Sequence, residues 1–309
     1  MKVVALSGGV GGARFLRGLV EVVEPDHLTI VGNVGDDVEV LGLHVSPDLD
    51  SILYALAGLA DEERGWGRAG ESWNALSSAA ELGGESWFRL GDLDLGLHLV
   101  RTQAMGRGES LSAVTAALAT RLGLRPALLP ATDDPVRTWL ATPAGTFAFQ
   151  EWFVARGHRD EVDAVEYRGA ESARPAPGVV EALDASELIV LAPSNPYVSI
   201  GPILAVGAVR DALVRRRAPA VSVSPLVGGR AVKGPADRML ARLAGGTTPA
   251  HVAGCYSGLI DALVLDEADD DGAEAVAALG VRPIVTRTLM RDAEAQRRLA
   301  EVAVGLVGV

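Results

Sequence analysis

Acidic side chains stand close together at two points near the start of the chain. Asp36 and Asp37 follow a predicted strand, and Asp48 and Asp50 stand about a dozen residues later. Alternate residues of an extended segment point to the same side, so Asp48 and Asp50 can converge. Carboxylates near a phosphate repel one another unless a cation joins them, and Mg²⁺ takes carboxylate and phosphate oxygens. The pattern predicts a Mg²⁺ that neutralises a diphosphate; helix capping by Asp50 is the open alternative.

A glycine-rich turn precedes these carboxylates. The segment Ser7-Gly8-Gly9-Val10-Gly11-Gly12-Ala13-Arg14 lies between an apolar run and residues at helical spacing. Glycines let a backbone approach an anion closely, and the free amides at a helix start can hold it. Arg14 stands where a dinucleotide fingerprint has its third glycine, and no Gly-Lys-Ser/Thr follows. Its position after the first strand predicts a phosphate site; a tight turn without a ligand is the alternative.

Two loops late in the chain also follow predicted strands. They are Pro193-Ser194-Asn195-Pro196 and residues 224–229. Because loops at the carboxyl ends of parallel strands meet over one crevice, both are expected near the glycine turn. The amide of Asn195 can recognise a purine edge or a ribose, and Ser199 with Gly201 opens a helix that offers backbone amides. These loops therefore extend the predicted nucleotide site.

The apolar runs around these motifs predict an α/β fold. Short buried-strand patterns end in the motif loops, so the expected class is a Rossmann-like, doubly wound, mostly parallel sheet. The predicted strands are residues 3–6, 28–31, 188–191, 220–223, 262–265 and 283–285. Helices are expected over residues 199–216 and 292–304.

The middle of the chain differs from both ends. Residues 50–125 are predicted to be largely helical, and residues 136–140 and 146–153 to form a β-hairpin. The domain prediction is a nucleotide-binding core made of residues 1–60 and 179–309. A helical and hairpin insertion, residues 61–178, is expected to contribute to the acceptor site.

Composition narrows the class of ligand. The chain has 28 Lys and Arg against 40 Asp and Glu, a net charge of −12, which argues against nucleic-acid binding. Arg230 and Lys233 are candidates to meet a phosphate, with a solvated basic pair equally open. The single cysteine, Cys255, forms no intramolecular disulfide and fits a small apolar filler. Prolines and glycine interrupt the longest uncharged stretch, residues 188–209, so no membrane helix is expected and the predicted location is cytoplasmic.

Taken in order, these segments resemble the 2-phospholactate transferase family of coenzyme F420 biosynthesis. The resemblance covers most of the chain, to about residue 236. It is carried by Ser7 to Phe15, Gly32-Asn33-Val34-Gly35-Asp36-Asp37, Ser46-Pro47-Asp48-Leu49-Asp50-Ser51, Trp66-Gly67 with Glu71-Ser72-Trp73, Leu90-Gly91-Asp92, Phe149-Gln150-Glu151-Trp152, Ala192-Pro193-Ser194-Asn195-Pro196, Ser199-Ile200-Gly201-Pro202-Ile203, Ser224-Pro225-Leu226 and Gly234-Pro235-Ala236.

The resemblance implies a reaction. The family's donor is a guanosine diphosphate esterified to lactate or, in the actinobacterial branch, to enolpyruvate. The acceptor is the deazaflavin Fo, whose terminal hydroxyl attacks the phosphorus nearer the three-carbon group while GMP leaves. A Rossmann-like core, Mg²⁺ and a homodimer are implied as well. The Ala13-Arg14 pair favours the actinobacterial branch and its enolpyruvyl donor.

Roles for individual residues follow from the same resemblance. The catalytic set, which positions the metal and the acceptor hydroxyl, is Asp36, Asp37, Asp48 and Asp50, with Asp37, Asp48 and Asp50 as the metal ligands. The nucleotide-binding set is Gly8, Gly9, Gly11, Gly12, Arg14, Ser194, Asn195, Ser199 and Gly201. The acceptor-binding set is Trp87, Phe88 and Asp92, because flat rings stack on aromatic side chains. Core packing of Trp87 and Phe88 is the alternative.

The chain departs from the family pattern at one place. Leu93 stands where the family has an arginine between two aspartates, and Leu97 stands where it has a threonine before the histidine. These departures put a catalytic role for Asp94 and His98 in doubt.

Two rival functions remain to be weighed. A related family of nucleotide-sugar-binding regulatory proteins shares the fold and the first glycine loop, but carries Asp-Asp-Gly-Gly after the second strand. Here Val38 and Glu39 follow the two aspartates, and the segment Pro47-Asp48-Leu49-Asp50 is present. A nicotinamide dehydrogenase would need a regular glycine fingerprint, which the turn lacks. The transferase is therefore preferred.

Overall fold

The computed structural model describes residues 1–305. Within them, the strands in chain order are β1 (Val3–Ser7), β2 (Leu28–Gly32), β3 (Val38–Val40), β4 (Leu43–Val45), β5 (Ala127–Pro130), β6 (Arg137–Thr142), β7 (Gly145–Ala148), β8 (Ala164–Arg168), β9 (Leu188–Leu191), β10 (Ala220–Val223), β11 (Leu226–Val227), β12 (Arg230–Ala231), β13 (Ala262–Asp266) and β14 (Arg282–Thr286). The α-helices are α1 (Gly9–Val22), α2 (Pro47–Leu56), α3 (Asn74–Glu81), α4 (Asp92–Gly106), α5 (Leu111–Arg121), α6 (Val179–Asp184), α7 (Gly201–Ala205), α8 (Gly207–Arg215), α9 (Ala236–Leu243), α10 (Pro249–Cys255), α11 (Ala273–Ala278) and α12 (Ala293–Val304).

Seven parallel strands form the central sheet, in the order β14-β13-β10-β9-β1-β2-β5. The chain runs outward from β1 through β2 to β5, then returns to the other side of β1 and continues from β9 to β14. The strand order therefore reverses between β1 and β9. In open α/β sheets a ligand crevice lies at this reversal, outside the carboxyl ends of the strands.

Helices cover both faces of the sheet. Alternate residues of β1 enter different cores, with Val3 and Ala5 on one side and Val4 and Leu6 on the other. Helices α1, α2, α4, α5 and α12 pack on the first face, and α6 to α11 pack on the second. Because the inner strands β1, β9, β10 and β13 are buried on both faces, they are continuous apolar runs, which is why the sequence predicts them.

The segment between the two halves of the core carries the predicted hairpin. Strands β6 and β7 are antiparallel, and β8 pairs with the other edge of β6 to make a three-stranded sheet. Strands β3 and β4 form a separate small hairpin directly before α2. The Rossmann-like, doubly wound fold predicted from the sequence is confirmed.

Three local expectations were wrong or incomplete. The helix expected over 199–216 is a π-helical turn, Pro196–Ile200, followed by two helices bent by 90° at Val206. The second strand expected for the hairpin, residues 146–153, ends at Ala148 as β7. A π-helical turn, Glu151–Ala155, follows it and buries Trp152. Strand β5 was not predicted; it lies inside the assigned insertion yet pairs with β2. Pro130 ends β5, and an edge strand tolerates proline because one side has no ladder to maintain.

Within residues 1–305, no single helix is long and apolar enough to cross a membrane. The segments Pro196–Ala205 and Gly207–Arg215 meet the criterion of length and composition only when joined across their bend.

Candidate active site

The glycine turn lies at the carboxyl end of β1, where the strand order reverses. Gly9 has φ of +69°, a left-handed backbone that favours glycine. A Cβ at Gly8 would stand 2.5 Å from Asp48 Oδ2 and 2.9 Å from Ser199 Cβ. The Ser194 hydroxyl donates to the Gly8 carbonyl at 2.7 Å, which fixes the turn to the loop after β9. The structure thus brings together residues that the sequence assigned to one nucleotide site.

Asn33 joins the two acidic segments. Its side-chain amide lies 3.3 Å from Asp36 Oδ1, 2.9 Å from Asp48 Oδ2 and 3.1 Å from the Val198 carbonyl. Gln150, from the segment after β7, donates to Asp36 Oδ2 at 3.1 Å. Asp36 and Asp48 therefore share a donor although they lie on different elements. Both are almost fully buried.

Asp37 has one satisfied and one unsatisfied oxygen. Its Oδ2 lies 2.9 Å from His44 Nε2 and accepts from the Ser46 hydroxyl at 3.0 Å. Its Oδ1 is buried and has no hydrogen-bond partner within the described part of the chain. A buried carboxylate oxygen without a partner is costly, so this atom is open to a ligand or a cation.

Asp50 lies in a separate buried network. Arg101, on α4, donates to both of its oxygens, and the Arg101 side chain is completely buried. His98 Nδ1 lies 3.7 Å from Asp50 Oδ2, and His98 Nε2 lies 3.3 Å from Asp94 Oδ1. Tyr54 donates to the same Asp94 oxygen. Burial lowers the pKa of Arg101, but Asp50 outweighs it and the pKa rises, so the guanidinium stays charged. Asp94 and His98 thus have structural partners here.

Asp36, Asp37 and Asp48 are called the acidic cluster below. Burial raises the pKa values of two of them, Asp36 and Asp48. Desolvation, then the charge of Asp48, raises the pKa of Asp36 well above its ordinary value. Desolvation raises the pKa of Asp48 to about 6, against the opposing hydrogen bond from Asn33. Carboxylates in this state favour a proton or a cation.

The acidic cluster suits a Mg²⁺ shared with a ligand. Within residues 1–305, no group of three or more His, Cys, Asp or Glu side chains is arranged to hold a metal on its own. Mg²⁺ is commonly bound by one or two carboxylates together with substrate phosphates, so a closed protein cage is not required. The unpartnered Oδ1 of Asp37 and the Asp48 carboxylate against the glycine turn fit that donor set. Asp50 fits less well, because Arg101 already neutralises it.

The remaining predicted nucleotide residues have mixed surroundings. A Cβ at Gly12 would lie 2.6 Å from Ser194 Oγ, so this glycine allows close packing against the late loop. Asn195 caps the following turn by accepting from Tyr197 N at 2.9 Å, and its amide nitrogen lies 3.4 Å from Met239 Sδ. Gly201 is packed against Tyr167 of β8. A nucleotide contact by Asn195 or Gly201 stays a prediction.

The predicted acceptor residues lie around α3 and α4. Trp87 and Phe88 meet edge to face with ring centroids 5.6 Å apart, and Phe88 packs on a small core that includes Val40, Val45 and Leu90. That core supports the hairpin which carries His44. Stacking of either ring on a deazaflavin stays a prediction.

Asp92 is a helix cap. Its carboxylate accepts from the backbone amides of Asn74 and Ala75 at 3.1 and 3.0 Å and from the Ser72 hydroxyl at 2.6 Å. Those bonds, led by the one from Ser72, lower the pKa of Asp92. In return Glu71 accepts from two amides at the start of α4. The two acids therefore cap each other's helices, which gives Asp92 a structural role. Acceptor binding by Asp92 stays a prediction.

We expect Asp92→Ala to loosen α3 while leaving the chemistry intact. Loss of the cap leaves the amides of the first turn of α3 without a side-chain acceptor. Limited proteolysis should cut within residues 72–91 faster than in the parent protein, and Tm should fall by about 2 °C. Asp184→Ala, which removes a surface ion pair with Arg215, serves as the control. A large loss of transfer activity in Asp92→Ala at a temperature where it is fully folded would contradict the capping role.

Several residues of the site have no role that the sequence predicts. Asn33 and Gln150 stand in recognised motifs, but their amides face carboxylates that are distant in sequence. His44 has no metal-ligand spacing to another histidine in the sequence, yet it lies against Asp37. The sequence indicates Arg101 only weakly. His98 stands four residues after Asp94, and Arg101 three residues after His98, so the three side chains fall on one face of α4.

The fold and site define a class of protein. It is a doubly wound α/β protein with a glycine turn and buried carboxylates at the strand reversal, where sheets of this kind bind their ligands. The profile of the family described as 2-phospho-L-lactate transferase CofD matches residues 3–292, and the chain belongs to this family. Membership confirms, at the level of the family, a transferase of coenzyme F420 biosynthesis.

Named relatives agree with this assignment, and a solved structure agrees with the fold. A protein of Kitasatospora aureofaciens named phosphoenolpyruvate transferase is 45% identical over 313 residues, covering 99% of this chain and 98% of the relative. One of the same name from Streptomyces griseus is 44% identical with the same coverage. A crystal structure from Bacillus halodurans has a TM-score of 0.65 at 18% identity, covering 98% of this chain and 99% of that one, and shows the fold alone.

Proposed function

We propose that the protein transfers a phosphoenolpyruvyl or phospholactyl group from a guanosine diphosphate-linked donor to the terminal hydroxyl of the deazaflavin Fo, with release of GMP. The observation that carries the proposal is the direct packing of the glycine turn against Asp48, beside the unpartnered oxygen of Asp37. A diphosphate on the turn would meet both backbone amides and carboxylates, which is the requirement for phosphoryl-type transfer.

Asp37 and Asp48 are the residues proposed to hold Mg²⁺. The ion would neutralise negative charge on the diphosphate and lower its repulsion from the carboxylates. The protein's own part is positioning. Ser194 fixes the turn by its bond to the Gly8 carbonyl, and Asn33 holds Asp36 and Asp48 together. Preset geometry of this kind lowers the entropic cost of bringing two substrates together.

The reaction exchanges one P–O bond for another. The acceptor hydroxyl forms a bond to the phosphorus next to the three-carbon acid, and the bond from that phosphorus to the GMP moiety breaks. The electron pair leaves with GMP, and the hydroxyl proton passes to a carboxylate of the acidic cluster. Burial raises the pKa of Asp36, which is not one of the proposed metal ligands, and so brings it nearer to that task.

Among the two donors, the enolpyruvyl form is preferred. Relatives at 38–45% identity that cover 94–100% of this chain carry the name phosphoenolpyruvate transferase. The Ala13-Arg14 pair of the glycine turn supports the same branch. The homodimer implied by the family stays a prediction.

The test is a transfer assay with purified protein, Fo and Mg²⁺. Each guanosine donor is supplied in turn, and GMP and the new phosphodiester are followed by mass spectrometry. We expect product with either donor, at a higher kcat/KM with the enolpyruvyl one, and none after addition of EDTA. Binding of nucleotide sugars with no turnover of either guanosine donor would instead favour the regulatory protein.

A further inference from the structure

A second feature, a cleft, opens beside the glycine turn. It lies between α1, α2 and the segment that precedes α3, and it is lined by Val10, Arg14, Ser51 and Trp66 among others. Val10 follows Gly9, and Ser51 follows Asp50, so the cleft begins where the glycine turn and the first turn of α2 meet. A molecule seated on the turn could therefore extend into it.

Two cations converge on this cleft from distant parts of the chain. Arg14 stands on α1 and lines the cleft directly. Lys233, from the loop between β12 and α9, donates to the carbonyl of Gly65, a residue of the opposite wall, at 2.7 Å. Burial, and then the charge of Arg14, lowers the pKa of Lys233. Arg14 and Lys233 thus face the same cleft, one as a lining residue and the other through its hydrogen bond to the wall at Gly65.

Asp61 and Glu62 also line the cleft, but they compensate this pair of cations only in part. Glu62 forms its close ion pair with Arg17 and lies 3.8 Å from Arg14. Asp61 is held by Arg64 at 3.0 Å. In residues 1–305, no carboxylate oxygen lies within 4 Å of the Lys233 ammonium. In a chain with a net charge of −12, a converging pair of cations with this little compensation indicates an anion site.

The position of the cleft identifies the anion. If the proposed function holds, the donor carries two anionic groups, its diphosphate and the carboxylate of its three-carbon acid. The glycine turn accounts for the diphosphate. The carboxylate lies beyond the phosphorus that is attacked and needs its own cation, because the acidic cluster beside it would repel it.

We propose that Arg14 and Lys233 form a carboxylate clamp that binds the three-carbon acid of the donor. The clamp rests on the proposed function and adds a specificity site to it. The guanidinium of Arg14 supplies paired donors, and Lys233 replaces its bond to the Gly65 carbonyl, or adds to it, with a charge-assisted bond to the carboxylate. The clamp selects donors that carry an acid over those that carry a neutral group.

The test measures binding, not turnover. Calorimetric titrations compare three compounds: GDP, guanosine diphosphate esterified to lactate, and guanosine diphosphate esterified to ethanol. The third compound, called the ethyl compound, lacks the carboxylate. We expect Lys233→Met and Arg14→Met each to weaken binding of the lactyl compound about tenfold or more. In Lys233→Met, binding of GDP and of the ethyl compound should stay within about twofold of the parent protein, because neither compound has the carboxylate.

The chain offers a matched control. Lys2 and Lys233 are its two lysines, and the side chain of Lys2 lies at the opposite end of β1 from the glycine turn. Lys2→Met should bind all three compounds as the parent does, and Lys233→Arg should retain most of the preference for the lactyl compound. An equal loss for the lactyl and ethyl compounds would assign Lys233 to the phosphates and overturn the clamp, as would no loss at all. Failure of the parent protein to bind any of the three would refute the proposed function itself.

Discussion

Asp48→Asn is expected to abolish transfer and, at the same time, to stabilise the metal-free protein. Asparagine keeps the shape and one oxygen for the bond from Asn33, but it removes the charge that holds the proposed Mg²⁺. Loss of one such electrostatic partner lowers kcat on the order of 10²–10³-fold. The measurement is the transfer assay together with guanidinium unfolding in EDTA.

The gain in stability has a pH signature. Burial raises the pKa of Asp48 from 3.8 to about 6, so the folded protein holds this proton more tightly than the unfolded chain does. Below about pH 4 both states are protonated and the charge costs nothing; above about pH 6 both are ionised and the full cost applies. Asp48→Asn should therefore be more stable by about 1–3 kcal/mol above pH 6, and the gain should vanish below pH 4.

A structural role for Asp48 predicts the reverse. If its carboxylate served mainly to hold the glycine turn, Asp48→Asn would lower stability near neutral pH and lose activity through unfolding. Asp163→Asn removes a surface carboxylate paired with Arg242 and should alter neither property. Full activity in folded Asp48→Asn would remove Asp48 from the metal site.

The fold was predictable because its determinants are local. The inner strands of the parallel sheet are buried on both faces, so residues such as those of β9 form an unbroken apolar run that ends in a proline loop. The exceptions lack that signature. Strand β5 has four residues and ends in proline, and the π-helical turn at Glu151–Ala155 follows a hairpin strand without a break in its aromatic pattern.

The site was predictable only where strand ends place residues together. Gly8 and Ser194 meet because the neighbouring strands β1 and β9 end at the same edge of the sheet, a consequence of topology. Asp92 does not follow a strand of the central sheet. Its hydrogen-bond partners stand some twenty residues earlier, at the start of α3, and no sequence pattern connects the two segments. A charged residue within a helix is usually exposed, so a sequence gives little reason to place Arg101 in the interior.

Arg101→Met carries the second large expected effect, a loss of about 3–5 kcal/mol of unfolding free energy. The substitution fills a similar volume but leaves the buried Asp50 carboxylate without its cation, and an unpaired buried charge is far costlier than a missing pair. Guanidinium unfolding at neutral pH measures the effect. Because His98 and Asp94 continue the same network, the damage should reach the contact between α2 and α4.

The double variant Asp50→Asn/Arg101→Met separates charge from packing. If the loss of stability arises from the unpaired Asp50 carboxylate, removing that charge as well should restore more than half of the lost free energy of unfolding. The coupling energy between the two substitutions would then be well above the few tenths of a kcal/mol seen for independent sites. If the double variant is instead as unstable as the sum of the two single changes, Arg101 acts through its packing alone. Restored stability without restored transfer would show that Asp50 and Arg101 are needed for activity as well as for folding. Their role would then be to position the first turn of α2, which carries Asp48, against the glycine turn.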